Sequence, residues 1–149
     1  MEALMKLSNN GVAFIKREEG EKLTAYADSV GVLTIGVGHT GAVSGKPITR
    51  GMTITQNQST ALLLSDIAWV ESSIGKSVKV PLTQNQYDAL CSFVFNVGKS
   101  AFENSTLLKK LNASDYAGAA DQLLLWKRAG NIPDLLFPRR KRERELFKT

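Results

Sequence analysis

The sequence is poor in the residues that build disulfides, metal centres and membrane spans. It holds one cysteine, Cys91, and one histidine, His39, among 149 residues. A lone cysteine excludes an internal disulfide and leaves no thiol cluster for a metal. Cys91 lies in the apolar run Leu90-Cys91-Ser92-Phe93-Val94-Phe95, so it reads as a small buried hydrophobe. A catalytic thiol needs a histidine partner, and only His39 is on offer. One histidine also falls short of the several ligands a transition-metal site requires. No stretch approaches the ~20 consecutive apolar residues of a membrane helix. The first residues include Glu2 and Lys6 and lack the apolar core of a secretory signal. The expectation is a protein that folds in the cytoplasm of the cell that makes it, with no cofactor, no metal and no membrane insertion.

What is present is an ordinary globular balance: 43% hydrophobic and 22% charged residues with four prolines. That suffices for one core and argues against several independent domains. A net charge of +5 favours acidic partners, whether nucleic acid, anionic membrane or anionic polymer, without choosing among them.

The periodicity predicts a helix, then a glycine-rich extended region, then helices to the end. Asn9 and Asn10 are candidate caps for a first helix from Gly11 or Val12 to Glu19, with Val12, Ile15 and Phe14 towards its buried side. Gly20 stands where a left-handed C-terminal cap is expected. Extended segments follow around Leu23–Ala27 and Val32–Val37, with a turn near Ser29–Gly31. Thr55 with Gln58, and Thr83 with Gln86, are capping boxes written in the same four residues, Thr-Gln-Asn-Gln. Behind the first, Leu63, Ile67, Val70 and Ile74 form a helical stripe; behind the second, Tyr87, Leu90, Val94 and Val97 do so. Ser114 or Asp115 starts a helix carrying Ala119, Leu123, Leu124 and Trp126 as far as Gly130, and Pro138 opens a last helix to about Phe147. The fold class is thus α+β and mostly helical, a single domain over 1–149. It comprises a small lobe with the first helix (about 11–54), a connecting helix (55–75) and a helical lobe (76–149). A cleft between lobes is a normal place for a ligand.

Four groups of residues compete for the chemistry. Gly36-Val-Gly38-His-Thr-Gly41 fits G-x-G-x-x-G, but no helix clearly follows and the position twenty residues beyond Gly36 is Gln56, not an acid. A metal cluster lacks ligands. The basic run Arg139, Arg140, Lys141, Arg142, Arg144 resembles a nucleic-acid patch, yet aromatic platforms and a recognition helix are missing. The plainer reading is a solvated helix face with Glu143 and Glu145 interleaved as local ion-pair partners. The fourth group is Glu18-Glu19-Gly20, Asp28 and Thr34. An acid at a helix C-terminus meets the negative end of the dipole, which favours its protonated, proton-donating form. Asp28, nine residues on in a polar turn, is placed to stay ionised, and Thr34 to hold a water. Two carboxyl groups in contrasting environments are the working pair of a glycosidase.

The same residues carry a resemblance. Lys16-Arg17-Glu18-Glu19-Gly20-Glu21, Ala25-Tyr26-Ala27-Asp28 and Thr34-Ile35-Gly36-Val37-Gly38-His39-Thr40 resemble the N-terminal signature of the phage lysozymes, glycoside hydrolase family 24. That family includes the T-even phage lysozyme, and the likeness is to the lambdoid Salmonella-phage type. It continues through Gly51–Thr55, Pro81–Leu90, Phe95-Asn96-Val97-Gly98, Trp126–Gly130 and Arg139-Arg140, so nearly the whole chain takes part. The resemblance implies a two-lobed lysozyme fold and cleavage of the β-1,4 bond between N-acetylmuramic acid and N-acetylglucosamine, causing host lysis.

Carried over by position, Glu19 is the acid, Asp28 the second carboxylate and Thr34 the helper hydroxyl. Water attack with inversion is implied; a covalent intermediate on Asp28 stays open to sequence. Asn96 and Phe95 are implied sugar contacts, Arg140 and Arg139 modulators of the acid, and His39 with Asp66 a structural pair. Trp126 and Trp69 are either sugar platforms or core residues. The implied setting is a monomer held in the host cytoplasm until a holin releases it to peptidoglycan, with no nucleic acid bound. The segment Ala129–Phe137 departs from the more glycine-rich form of many relatives. The rival readings are a lytic transglycosylase of the same bond and a wall-binding protein without catalysis.

Overall fold

Caps and glycines decide where each element begins and stops. A computed structural model describes residues 4–149; Glu2, read above as part of a polar N-terminus, lies outside the described residues. The order is α1 (Asn9–Glu19), β1 (Lys22–Ala27), β2 (Leu33–Gly36), α2 (Gln56–Asp66), α3 (Ala68–Ser77), α4 (Gln84–Val97), α5 (Lys99–Glu103), α6 (Thr106–Asn112), α7 (Tyr116–Leu123) and α8 (Phe137–Lys148). Among the described residues no helix is long and apolar enough to cross a membrane. The chain forms two compact units: Val12–Ala68, and residues 4–11 with Trp69–Thr149.

In the Val12–Ala68 unit, β1 and β2 form an antiparallel hairpin with Tyr26 opposite Thr34 and Ala27 opposite Leu33, and an irregularity between Lys22 and Tyr26. The segment after Gly51 lies along the other edge of β1. Ala25 N donates to Met52 O at 2.8 Å and Ile54 N to Leu23 O at 2.9 Å. Ile35, Val43 and Ile54 close a small core, with Leu23, Met52 and Leu62 packed on it. The first capping box forms in full: Gln58 N donates to Thr55 Oγ1 at 3.1 Å, and Thr55 N to Gln58 Oε1 at 2.8 Å. The stretch expected as one connecting helix is two, α2 and α3. Ile67 stands between them and still donates to Leu63 O at 2.9 Å, so the interruption is a slackened turn.

The other unit is built around α4. Its capping box at Thr83 and Gln86 also forms. Every residue from Tyr87 to Val94 is buried, Asp88 and Ser92 included, so α4 is a core helix rather than one with a single apolar stripe. Cys91 is fully buried, and burial pushes its thiol well above the ordinary range. The polar groups of α4 find partners in the chain's first described residues. Ser8 N and Oγ both donate to the Asp88 carboxylate, Gln84 Nε2 donates to Lys6 O at 2.9 Å, and the Tyr87 hydroxyl donates to Met5 O at 3.1 Å.

Two boundaries differ from expectation for physical reasons. The cap of α1 is Ser8, not Asn9 or Asn10: its hydroxyl accepts from Gly11 N at 3.0 Å while being held by Asp88. Helix α7 starts behind Asp115, whose carboxylate accepts from Gly118 N at 2.8 Å, but stops at Leu123 rather than running to Gly130. Tight turns 124–126 follow, and Trp126 leaves the helix to set its ring edge-on to Phe93, with centroids 5.5 Å apart.

Two of the helix glycines, Gly11 and Gly75, should respond oppositely to alanine. A Cβ on Gly11 would lie 2.5 Å from Leu7 Cδ1 and 2.6 Å from Asp88 Cγ, whereas one on Gly75 meets nothing within 4 Å. We expect Gly11→Ala to cost about 1–3 kcal/mol through overpacking and Gly75→Ala to gain about 0.4–1 kcal/mol. Urea unfolding of both variants checks the pair; equal midpoints would remove the close approach at Gly11.

Candidate active site

Helix α1 delivers Glu19 to its own end. Gly20 takes φ +83°, a left-handed cap position that disfavours a side chain, and its N–H donates to Lys16 O at 2.9 Å. The chain then turns straight into β1, leaving Glu19 exposed. The junction is pinned by Glu21. Its Oε2 accepts from Ser59 Oγ at 2.6 Å and pairs with Lys16 Nζ at 3.0 Å, and its Oε1 accepts from Gln56 Nε2 at 2.7 Å. Lys16 also donates to Thr60 Oγ1 at 2.7 Å, so α1, β1 and the start of α2 share one carboxylate. Partial burial raises the Glu21 pKa, but the hydrogen bonds from Ser59, Gln56 and Lys16, with the lysine's charge, outweigh it and bring the value below the ordinary one. Sequence reading missed this role, because nothing in Glu21's local spacing points to α2.

Asp28 opens the hairpin turn. Its N–H donates to Val32 O at 2.9 Å, and its Oδ1 accepts from both Val30 N at 2.9 Å and Val32 N at 2.8 Å. One carboxylate oxygen thus organises the loop. Thr34 stands on β2 opposite Tyr26, two residues before Asp28 on the facing strand. It is buried, and its hydroxyl donates to Val32 O at 3.0 Å, so the oxygen's remaining capacity is as an acceptor. Glu19, Asp28 and Thr34 therefore belong to one unit, carried by a capped helix end, a turn and a strand.

The residues picked from the second half belong to the other unit. Asn96 is exposed near the end of α4, with Phe95 half-buried before it. Asn96 Oδ1 accepts from Arg140 Nη2. Arg140 also donates from Nε to Trp126 O at 2.8 Å and from Nη1 to Glu143 Oε1 at 2.6 Å. Arg139 Nε donates to Glu143 Oε2 at 3.1 Å, and its Nη2 to Ser92 O at 3.0 Å. This corrects the reading of the basic run as a solvated face. Arg139, Arg140 and Glu143 are buried, and only Lys141, Arg142 and their neighbours face solvent. The buried positions 139, 140, 143 and 147 lie on one face of α8, but three are charged, so a search for apolar periodicity passes over them. Trp69 is exposed and Trp126 half-buried.

His39 Nδ1 lies 2.7 Å from Asp66 Oδ2, and its Nε2 lies 3.1 Å from Ala42 O. Two acceptors on two ring nitrogens suit the imidazolium, which alone donates from both. Burial pulls the His39 pKa down, but the Asp66 and Ala42 hydrogen bonds win, and the net shift is upward from 6.5. Stabilisation from the pair is therefore complete below about pH 6.5 and lost as the pH rises through the higher folded value. Wild type should exceed Asp66→Asn in urea stability by more at about pH 5.5 than at about pH 9. A constant difference across that range would show that the histidine's charge is not involved.

Sequence and fold both have close counterparts elsewhere. The phage lysozyme family model matches residues 16–143. The endolysin of Salmonella phage P22 is 59% identical over 144 residues, spanning 97% of this chain and 99% of its own. An endolysin of Acyrthosiphon pisum secondary endosymbiont phage 1 is 46% identical over 150 residues, spanning 97% and 99%. A crystal structure of a P22 lysozyme mutant superposes with a TM-score of 0.95 at 58% identity, covering 97% of this chain and 99% of that one. With its fold, its hairpin and most of its length matched, this chain belongs to the phage lysozyme family and is a muramidase-type endolysin.

Proposed function

We propose that Glu19 donates the proton that releases the glycosidic oxygen, while Asp28 and Thr34 direct a water at the anomeric carbon of N-acetylmuramic acid. The observation that carries this reading is the division of labour at Asp28. Oδ1 is committed to the amides of Val30 and Val32, which fixes the carboxylate and leaves Oδ2 outside those two bonds. Thr34 has given its proton to Val32 O and can only accept from a ligand. A water that donates one proton to Asp28 and the other to Thr34 presents its lone pair to the sugar. Attack then comes from the face opposite the departing oxygen, and the product is inverted. Glu19, the last residue of α1, supplies the proton to the departing oxygen.

Asn96 and Phe95 are read as sugar contacts. Release from the host cytoplasm through a holin, and action as a monomer, belong to the same proposal. Membership of an endolysin family supports the release step, and the +5 charge suits a target in an anionic envelope. Lysis on expression without a holin would overturn the release step.

Permeabilised Gram-negative cells, followed by turbidity, test the acid. We expect Glu19→Gln to lose about 10²–10⁴-fold in rate. Asp28→Asn should keep the turn, because an amide oxygen still accepts from Val30 and Val32, yet lose activity on a similar scale. Mass analysis should find hydrated reducing ends, and NMR the inverted anomer. Anhydro ends would make the enzyme a transglycosylase, a retained anomer would make Asp28 a nucleophile, and full activity in Glu19→Gln would remove Glu19 from the chemistry.

A further inference from the structure

We infer that Glu143 is a positioning residue that acts through Arg140 to present the Asn96 side-chain NH2 as a fixed donor for the acetamido carbonyl of an N-acetyl sugar. The inference rests on the reading of Asn96 as a sugar contact and adds to it a direction, an anchor and a ligand group.

Arg140 has no solvent exposure. Its Nε is given to Trp126 O at 2.8 Å, its Nη1 to Glu143 Oε1 at 2.6 Å and its Nη2 to Asn96 Oδ1. The guanidinium also lies 5.1 Å from the centre of the Phe93 ring. A planar fork tied at three nitrogens and stacked on a ring has one orientation. Glu143 sets it. This carboxylate is fully buried, and its second oxygen accepts from Ser92 Oγ at 2.6 Å and Arg139 Nε at 3.1 Å, so it cannot swing away from Arg140.

Arginine has donors and no acceptor. The atom of Asn96 that meets it must therefore be the oxygen, and the planar carboxamide then turns its NH2 group the other way. Asn96 is exposed, so this NH2 is accessible to a ligand. A group that can only donate selects for an acceptor. The amide carbonyl of the acetamido group is the strongest neutral acceptor on N-acetylglucosamine or N-acetylmuramic acid. Glu143 thereby determines which polarity the exposed tip of Asn96 offers, although it touches no sugar.

The test is a double-mutant cycle on soluble, uncross-linked peptidoglycan strands, with wild type, Asn96→Ala, Glu143→Gln and the double variant. We expect each single variant to raise KM about tenfold with kcat nearly kept, as for loss of one oriented hydrogen bond. The double variant should be no worse than Asn96→Ala. Asn96→Asp, which can still accept from Arg140 but cannot donate, should match Asn96→Ala. On strands whose acetyl groups have been removed, wild type and Asn96→Ala should converge. Factors that multiply in the double variant would overturn the proposal, as would a fall in kcat alone for Glu143→Gln or a gap that persists on deacetylated strands.

Removing a buried anion risks unfolding, so Glu143→Asp provides the second arm. Its Asn96 side-chain NH2 signals in 15N NMR should shift and exchange faster with water; unchanged signals would overturn the proposal. If wild type fails to cut the strands, the muramidase reading falls by itself. Calorimetric binding of intact strands then makes the same comparison: equal weakening by Asn96→Ala and Glu143→Gln supports the inference, and undiminished binding by either overturns it.

Discussion

A carboxylate with no solvent exposure survives in a folded protein only when its charge and lone pairs are met in full, and Glu143 is such a group. Ser92 from α4 and Arg139 and Arg140 from α8 surround it, so these two helices meet around an ionic group as well as around apolar side chains. That choice has consequences at a distance from Glu143. Arg140, once fixed, holds Trp126 O just beyond the end of α7 and Asn96 at the end of α4. Replacing such a cluster by hydrocarbon often leaves stability unharmed. What hydrocarbon cannot reproduce is the orientation of the polar groups hung on it.

The smaller unit repeats the device with a half-buried anion. Glu21 gathers Lys16, Gln56 and Ser59 at the point where α1 gives way to β1. The exposed Glu19 thus stands beside a backbone held on both sides, by the Gly20 cap and by Glu21. Asp28 does the same for the hairpin turn, where its Oδ1 holds the amides of Val30 and Val32. In each case a fixed hydrogen-bond acceptor determines where a neighbouring polar group points. Pre-orientation of this kind lowers the cost of reaching a reactive geometry.

Much of the architecture was legible locally. Both capping boxes, the glycine stop of α1, the hairpin and the proline at the head of α8 are short-range signals, and the structure carries each of them. The errors came where a distant residue overrode a local preference. Asn9 and Asn10 are good caps, but Asp88 of α4 recruits Ser8 instead. The pattern of α7 runs on towards Gly130, but Trp126 is drawn out of it by Phe93. Helices α5 and α6 are five and seven residues long, too short for a stripe to declare itself.

By itself the sequence determined most of the element types, the burial of its single thiol and, through several motifs in order, the family. These depend on neighbours within one turn or one hairpin, where covalent spacing sets what can meet. Only the tertiary structure decided that Arg139, Arg140 and Glu143 are interior, that Glu21 reaches α2 and that Asn96 meets Arg140 through its Oδ1. Charged residues read as surface because an isolated charge is costly to bury. Whether that cost is met depends on partners such as Ser92, 51 positions away from Glu143, and no local pattern reports it.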